Sequence, residues 1–239
     1  MDKLNLDHHI SQQFNEELED IRNHVLTMGG IVEQQIGDAV DALIDGDSEK
    51  GQKVVREDAK VNNLEVLIDE ECSRILARRQ PAASDLRLIV AIIKTITDLE
   101  RMGDEAEKIG YLATRLAEDE RPVADYNAIE NMGGKVRSML QGALDAFARL
   151  DPEAAVAIAK QDEKVDREYE AILRQCITFM MEDPRNIKRT LDVMWCARAL
   201  ERIGDHAKNI CEYIVYLVHG KDVRHTDIEA VEKELAAKQ

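Results

Sequence analysis

The sequence contains few aromatic residues and few prolines. Aromatic residues make up 4% of the 239 residues, and four prolines occur. Leucine, isoleucine, valine, alanine, glutamate and lysine dominate, a mixture typical of helical bundles in which aliphatic side chains interlock. No segment alternates convincingly between polar and apolar residues as a half-buried strand does. The composition therefore predicts an all-α protein with long helices.

The sequence also lacks long apolar segments. Its longest strictly apolar run, residues 88–93, is far shorter than the roughly 20 residues that a helix needs to span a bilayer. The first twenty residues interleave acids with apolar residues and contain no apolar core of a signal peptide. We therefore expect a cytoplasmic protein whose membrane contact is peripheral.

Cysteine motifs and excess positive charge are missing as well. The four cysteines form no C-x-x-C pair, so we expect small buried thiols and no zinc or disulfide framework. The formal net charge is −16. Non-specific nucleic-acid binding needs Lys and Arg to neutralise phosphates, which this charge does not favour. An acidic chain suits cations or basic partner surfaces.

An internal duplication is present. Met28-Gly29-Gly30 recurs 104 residues later, and the same offset relates Asp58 to Asp162. After a three-residue shortening, the segment Leu-Glu-Arg-x-Gly-Asp at residues 99–104 recurs at residues 200–205. We predict two similar halves related by pseudo-twofold symmetry, with a first repeat in residues 1–119, a second repeat in residues 120–220 and a charged tail in residues 221–239.

Each half is predicted to contain three helices. Apolar residues recur at steps of three and four, as at Leu200, Ile203 and Ala207. Asp151 followed by Pro152 is a typical helix start, and Asp47-Ser48 occupies the matching place in the first half. The predicted fold is two tandem three-helix bundles, with helices at roughly 7–45, 48–78, 83–118, 123–149, 152–182 and 186–219.

Further expectations concern two residues of the second half, the exterior of the protein and the tail. Trp195 lies on an apolar face and is expected in the core, whereas His206 is expected on the solvated surface. No obvious apolar patch is expected on the exterior. The tail at residues 221–239 fits either a short amphipathic helix or a frayed end.

Carboxylate pairs occupy the duplicated segment. Residues four apart on a helix project from nearly the same side, so Glu100 pairs with Asp104, and Glu201 pairs with Asp205. The same geometry directs the second pair away from the apolar seam of its helix. We therefore expect these acids to lie outside the core.

Acids of the preceding helix can join these pairs. Asp162 and Asp166 lie at the edge of their apolar stripe, where an antiparallel neighbour brings its own edge. Converging carboxylates repel one another unless a cation lies among them, and oxygen ligands suit hard cations such as Mg²⁺, Ca²⁺ or Mn²⁺. The alternative is an ordinary charged surface in which these acids pair with nearby bases: Arg198, Arg202 and Lys208.

A glycine stands in the middle of each duplicated segment. In a helix interior, glycine costs about 1 kcal/mol relative to alanine, so Gly103 and Gly204 require a reason. One explanation is close approach of a neighbouring helix. The other is backbone access for a ligand or partner beside the acids.

Several motifs together resemble the PhoU family, and the similarity covers nearly the whole chain. They are the doubled Leu-Glu-Arg-x-Gly-Asp, the Asp-x-Lys-Val-[Asn/Asp] pattern at 58–62 and 162–166, Arg79-Gln80-Pro81, and Ser84-Asp85-Leu86-Arg87. The chain start, with Leu4-Asn5-Leu6-Asp7 and His9-Ile10-Ser11, fits the same family.

This resemblance implies a non-enzymatic regulator. It would couple a phosphate ABC transporter to a membrane sensor histidine kinase, act as a homodimer, modulate phosphate uptake and repress the phosphate-starvation regulon. The resemblance also implies a divalent metal ion, Mg or Mn before Zn or Fe. Its ligands would be seven acids: Glu100, Asp104, Glu201, Asp205, Asp58, Asp162 and Asp166.

One position departs from the doubled pattern. Asn62 stands where the second repeat has Asp166, and a neutral amide brings no charge. We therefore expect metal to favour the second repeat. The alternative function is a carboxylate-bridged metalloenzyme on a helical bundle. Such enzymes use Glu-x-x-His pairs, and the sequence contains none.

Overall fold

The computed structural model describes residues 12–81, 83–118, 126–224, 226, 228 and 230–232. Within this part the chain forms no β-strand, which confirms the all-α prediction. The predicted positions 7–11 and 123–125 lie outside the described residues. The eight α-helices are α1 (Gln12–Asp45), α2 (Ser48–Glu57), α3 (Ala59–Arg79), α4 (Ala83–Glu118), α5 (Asn127–Arg149), α6 (Pro152–Ala159), α7 (Asp162–Glu182) and α8 (Ile187–His219), with a 3₁₀ turn at Pro184–Asn186.

Two of the six predicted helices are each divided in two, so the helix count was wrong. The helix predicted at 48–78 breaks at Asp58, and the helix predicted at 152–182 breaks between α6 and α7. Asp58 keeps right-handed helical angles, φ −57° and ψ −34°. Backbone hydrogen bonds that span three residues, as in a 3₁₀ turn, occur at both breaks: Val61 N donates to Asp58 O, and Gln161 N donates to Ile158 O.

The helix starts follow the predicted capping. Asp47 Oδ1 accepts a hydrogen bond from Lys50 N at 3.0 Å, and Asp151 Oδ1 accepts one from Ala154 N at 2.9 Å. These caps satisfy backbone donors that the first helical turn leaves free. Equivalent acids therefore begin α2 and α6 in the two repeats.

The two repeats pack into one continuous core. Helix α4 contacts α8, α1 contacts α5, and the other four helices cover these inner ones. In the first repeat α2 and α3 both contact α4, and in the second repeat α6 and α7 both contact α8. This matching pattern is what a duplicated unit produces. The bundles are joined along their apolar stripes, since a single apolar cluster extends through both repeats.

The expectations for Trp195 and for an exterior without apolar patches were wrong. Trp195 is 63% exposed, and Ile187 and Leu191 on the same face of α8 are each 42% exposed. Their spacing of four residues aligns them, and we call these three residues the apolar row. Helical periodicity identifies an apolar face, but only the neighbouring helices determine whether that face is covered.

The four cysteines and two valines of the tail lie in the apolar interior. All four cysteines are buried and free, as predicted. In the tail, Val223 and Val231 pack against Val156 and Val215, so the described tail residues contact the second repeat. Among the described residues, no helix combines the length and the apolar character needed to cross a bilayer.

Candidate metal centre

The first carboxylate cluster lies where α4 passes the break between α2 and α3. The break presents Asp58, which is 5% exposed. Asp104 and Glu107, three residues apart on one face of α4, approach it. One oxygen from each of these acids lies within 4.8 Å of the others. Oxygens that share one ion at about 2.0–2.6 Å are at most about 5 Å apart, so this spacing fits a divalent cation.

Gly103 and Gln35 line the same place. A Cβ atom at Gly103 would lie 3.0 Å from Asp58 Oδ1 and 3.5 Å from Gln35 Oε1. Gln35 is 4% exposed, and its Oε1 has no hydrogen-bond partner in the part of the chain that the structure describes. A buried oxygen without a donor is costly, and a cation beside it would satisfy it. The residues present therefore fit a hard cation.

The acids of this region destabilise one another's charged form. Burial raises the pKa of Asp58, Glu100 and Glu107, and the charges of neighbouring acids, Asp104 among them, raise each pKa further. Two amides oppose the increase in the pKa of Asp58: Asn62 Nδ2 donates to Asp58 Oδ2 at 3.0 Å, and Gln35 Nε2 donates to Asp58 Oδ1 at 3.5 Å. We call Asp58, Glu100, Asp104 and Glu107 the first cluster.

The second cluster consists of Asp162, Asp166, Glu201 and Asp205, and side-chain cations enter it. Lys208 Nζ donates to Asp162 Oδ2 at 2.8 Å. Asp162 and Glu201 are 3% and 9% exposed. Burial raises the pKa of Asp166, Glu201 and Asp205, and neighbouring acids add to each increase.

A second cation contacts the same cluster. Arg198 forms an ion pair with Glu201 at 2.5 Å. Asp162 Oδ1 and Glu201 Oε2 are left without a hydrogen-bond partner among the described residues. The second cluster is therefore a set of buried acids whose charge is partly balanced by the chain itself.

The repeat alignment explains this difference. The offset that pairs Asp104 with Asp205 also pairs Glu107 with Lys208, and the offset that pairs Asp58 with Asp162 also pairs Gln35 with Met139. An acid is thus exchanged for a base, and an amide oxygen for a thioether. These exchanges argue for metal at the first cluster, opposite to the expectation drawn from Asn62.

The predicted site residues are brought together in two groups, but not as an exterior surface. Glu201 is buried, so the expectation that it lies outside the core was wrong, and Asp58 and Asp162 are buried as well. Their burial follows from packing of α4 and α8 against the two helix breaks.

The sequence prediction omitted two members of the first site, Glu107 and Gln35. Glu107 follows Asp104 by three residues, so helical spacing could have identified it. Gln35 comes from α1, and no local pattern connects it with the acids. Gln35 is recognised only when α1 is placed against the break at Asp58.

His206 is buried rather than solvated, which corrects its predicted position. Its Nδ1 lies 2.7 Å from Asp98 Oδ1, and Asn209 Nδ2 donates to the same oxygen at 3.1 Å. Asp98 is 3% exposed and His206 is 8% exposed. This polar group joins α4 to α8 between the repeats.

Comparison with known proteins accounts for the duplicated architecture. The family model described as the PhoU domain matches residues 25–113 and again residues 129–214. The chain belongs to the PhoU family. Two PhoU domains in tandem confirm the predicted pair of similar helical repeats.

Named PhoU relatives are similar over nearly the full length. The chain is 54% identical to the phosphate-specific transport system accessory protein PhoU homolog of Pseudomonas aeruginosa, over 98% of this chain and 97% of the relative. It is 51% identical to the protein PhoU of Escherichia coli strain K12, over 100% of this chain and 98% of the relative. These names describe accessory proteins, which confirms the non-enzymatic prediction and does not favour a metalloenzyme.

Solved PhoU structures share the fold. The crystal structure of PhoU from Pseudomonas aeruginosa matches with a TM-score of 0.85 and 55% identity, over 87% of this chain and 100% of the other. The structure of the phosphate transport system regulatory protein PhoU from Streptococcus pneumoniae matches with a TM-score of 0.83 and 32% identity, over 88% and 99%. Both matches confirm the all-α duplicated fold.

Proposed function

We propose that this PhoU-family protein is an accessory regulator of phosphate transport that represses the phosphate-starvation regulon when phosphate is plentiful. The observation that carries the proposal is the 54% identity to a phosphate-specific transport system accessory protein over 98% of the chain. Similarity of that extent includes both repeats. The same proposal includes modulation of phosphate uptake.

The proposed mode of action is that of a cytoplasmic adaptor between a phosphate ABC transporter and a membrane sensor histidine kinase. The net charge of −16 supports contact with basic surfaces of such partners, because opposite charge steers association. Membrane contact in this proposal is made through the partners.

Deletion of the gene tests the regulatory role. We expect phosphate-starvation genes to be expressed in high phosphate after deletion, and repression to return when the intact gene is restored. Transcript levels at high and low phosphate provide the measurement. Normal repression in the deletion strain would contradict the proposal.

The proposal assigns a divalent cation to the first cluster. Asp58, Asp104 and Glu107 would hold it, with Glu100 beside them and Gln35 supplying a neutral oxygen. When bound, the cation would neutralise the buried carboxylates and join the α2–α3 break to α4. The all-oxygen set favours Mg²⁺ or Mn²⁺ over Zn²⁺ or Fe²⁺.

Titration calorimetry with Mn²⁺ after chelator dialysis tests this site. Asp104→Asn should reduce binding strongly, because it removes one of three converging carboxylates. The matched control is Asp145→Asn, an exposed aspartate on α5. Equal Mn²⁺ binding by both variants would exclude the assignment.

We also propose that the protein is a homodimer in contact through the apolar row. A symmetric contact places each surface against its own copy, and an apolar surface does so without opposing like charges. Leu191→Glu should therefore convert the dimer to a monomer in sedimentation. Val66→Glu, at an exposed apolar position on α3, is the control. A monomeric wild-type protein would overturn this assignment.

A further inference from the structure

Lys208 occupies the place in the second repeat that Glu107 occupies in the first. Its ammonium nitrogen lies 2.8 Å from Asp162 Oδ2. The Asp162 side chain is 4% exposed, whereas the Lys208 side chain is 38% exposed. The lysine therefore reaches from the edge of the second repeat to a buried carboxylate.

We propose that Lys208 is an internal cation that replaces the metal ion in the second cluster, so that each chain binds one divalent cation and binds it in the first repeat. This inference rests on the proposed metal site at the first cluster. Its basis is the ion pair with Asp162, the acid equivalent to Asp58, and not the number of acids in either repeat.

The charge exchange between Glu107 and Lys208 opposes a second metal ion in two ways. The second repeat lacks one carboxylate ligand and gains a positive charge beside the remaining acids. Because Lys208 is tethered on α8, a divalent cation must displace it from Asp162 before using that oxygen. Coulomb repulsion between the ammonium and the incoming ion adds to this cost in a buried site.

Two further exchanges act in the same direction. Arg198 stands where the first repeat has Thr97, and its guanidinium pairs with Glu201 at 2.5 Å. Met139 stands where the first repeat has Gln35, and it is fully buried. A thioether is a poor ligand for hard cations, whereas an amide oxygen is a suitable one. Two helices of the second repeat, α8 and α5, therefore contribute to the difference.

A reciprocal exchange of the two residues tests the proposal. Mn²⁺ stoichiometry is measured by calorimetry after chelator dialysis, and bound metal is counted by elemental analysis of the dialysed protein. We expect one ion per chain for wild type, none for Glu107→Lys and two for Lys208→Glu. The double exchange should return one ion, now in the second repeat.

Thermal unfolding supplies a readout that a folding defect does not imitate. The melting temperature of Glu107→Lys should be unaffected by chelator, because its ammonium takes the place of the ion. Lys208→Glu should gain a larger Mn²⁺-induced rise than wild type. Lys164→Glu changes the charge of the same repeat equally, from the opposite side of α7, and should keep one ion.

The possible outcomes separate this inference from the proposed function. Two ions in wild type, or no additional ion in Lys208→Glu, would overturn the role of Lys208 while leaving the first metal site intact. No ion in wild type would overturn the metal site and this inference together. A second ion in Lys164→Glu would show that general charge, and not the position of Lys208, controls binding.

Discussion

The first and second clusters are built on the same frame and balance their charge differently. Each lies where a broken helix meets a long helix that carries Leu-Glu-Arg-x-Gly-Asp. In the first cluster an unpartnered amide oxygen and three converging acids leave the negative charge exposed to a cation. In the second, Lys208 and Arg198 enter among the acids. Duplication has therefore preserved the scaffold while allowing one copy to supply its own cations.

The largest expected effect is the loss of metal stabilisation when the first cluster is disabled. At a free concentration one hundred times Kd, a bound ion stabilises by about 2.7 kcal/mol. For a chain of this size that is a rise in melting temperature of about 5–10 °C. Asp58→Asn with Asp104→Asn should abolish the Mn²⁺-induced rise.

The matching double variant in the second cluster is expected to behave differently. Asp162→Asn with Asp205→Asn should lower the starting melting temperature, because Lys208 loses its partner, but should retain the Mn²⁺-induced rise. Calorimetric melting with and without Mn²⁺ measures both. Loss of the rise in the second-cluster variant alone would reverse our assignment of the two repeats.

The next largest effect is a pH dependence of stability caused by Glu212. This acid has no acidic counterpart in the first repeat, where Tyr111 stands at the equivalent position. Burial raises the pKa of Glu212 from 4.5 to about 7, although Lys208 opposes the increase. The folded state therefore holds a proton that the unfolded chain releases near pH 4.5. Stability should fall as pH rises between these two values, by on the order of 2 kcal/mol.

Urea unfolding at pH 5.5 and pH 8 measures this dependence. Glu212→Gln should be less sensitive to pH than wild type, because the amide does not ionise. Glu163→Gln, an exposed acid on α7, should keep the wild-type dependence. If Glu212→Gln showed the full wild-type loss at pH 8, the buried carboxyl would not be the titrating group.

A smaller effect is expected from the two equivalent glycines. At Gly103 an added Cβ would lie 3.0 Å from Asp58 Oδ1, whereas at Gly204 the nearest atom is Val165 Cγ1 at 3.3 Å. Gly103→Ala should therefore displace a metal ligand and weaken Mn²⁺ binding about tenfold, or 1.4 kcal/mol. Gly204→Ala should change stability by less than about 1 kcal/mol, because improved helix propensity offsets the tight contact.

Mn²⁺ titration and urea unfolding of both alanine variants provide the measurements. Similar losses of Mn²⁺ affinity in both would mean that the glycines act through general helix packing. Unchanged affinity in Gly103→Ala would show that Asp58 can move without loss of the site.

The smallest effect is expected at Asn62. Asn62→Asp adds a carboxylate four residues from Asp58 and removes the amide donor of the 3.0 Å hydrogen bond. Like charges at this spacing destabilise a helix by about 0.2–0.5 kcal/mol, so the metal-free protein should be slightly less stable. Mn²⁺ affinity should rise about threefold, or 0.6 kcal/mol.

The reciprocal variant Asp166→Asn completes the comparison. It should leave Mn²⁺ binding unchanged, since the proposed ion lies in the other repeat. Mn²⁺ titration of both variants at the same pH provides the measurement. A decrease in affinity caused by Asp166→Asn would place metal at the second cluster, as the charge of the acids alone first indicated.

The parts of the fold that depend on neighbouring residues were predictable. Asp47 and Asp151 cap helices through contacts across three residues, and the sequence shows them directly. The break at Asp58 was not predictable in this way. It contains no proline or glycine and keeps helical backbone angles. It permits α2 and α3 both to pack on α4, so its cause lies in tertiary contacts.

The carboxylate pairs of the candidate site were predictable in the same way as the helix caps, from short spacing along the chain. Glu100 with Asp104, and Glu201 with Asp205, follow from helical spacing. Trp195 and His206 were placed wrongly, because a helical stripe does not reveal which neighbour covers it. The expected preference of metal for the second repeat was drawn from counting acids. That count included Asn62 and Asp166 but omitted the cations that reach the second cluster.

The sequence by itself determined the all-helical class, the duplication, the helix caps and the doubled carboxylate pairs, because each depends on composition or on short, regular spacing. The tertiary structure decided where the helices break, which acids are buried, and which side chains reach them. Gln35 on α1 lies beside the first cluster, and Lys208 on α8 contacts Asp162 on α7. Such contacts depend on packing between distant segments, and packing determines whether a buried acid meets a cation of its own chain.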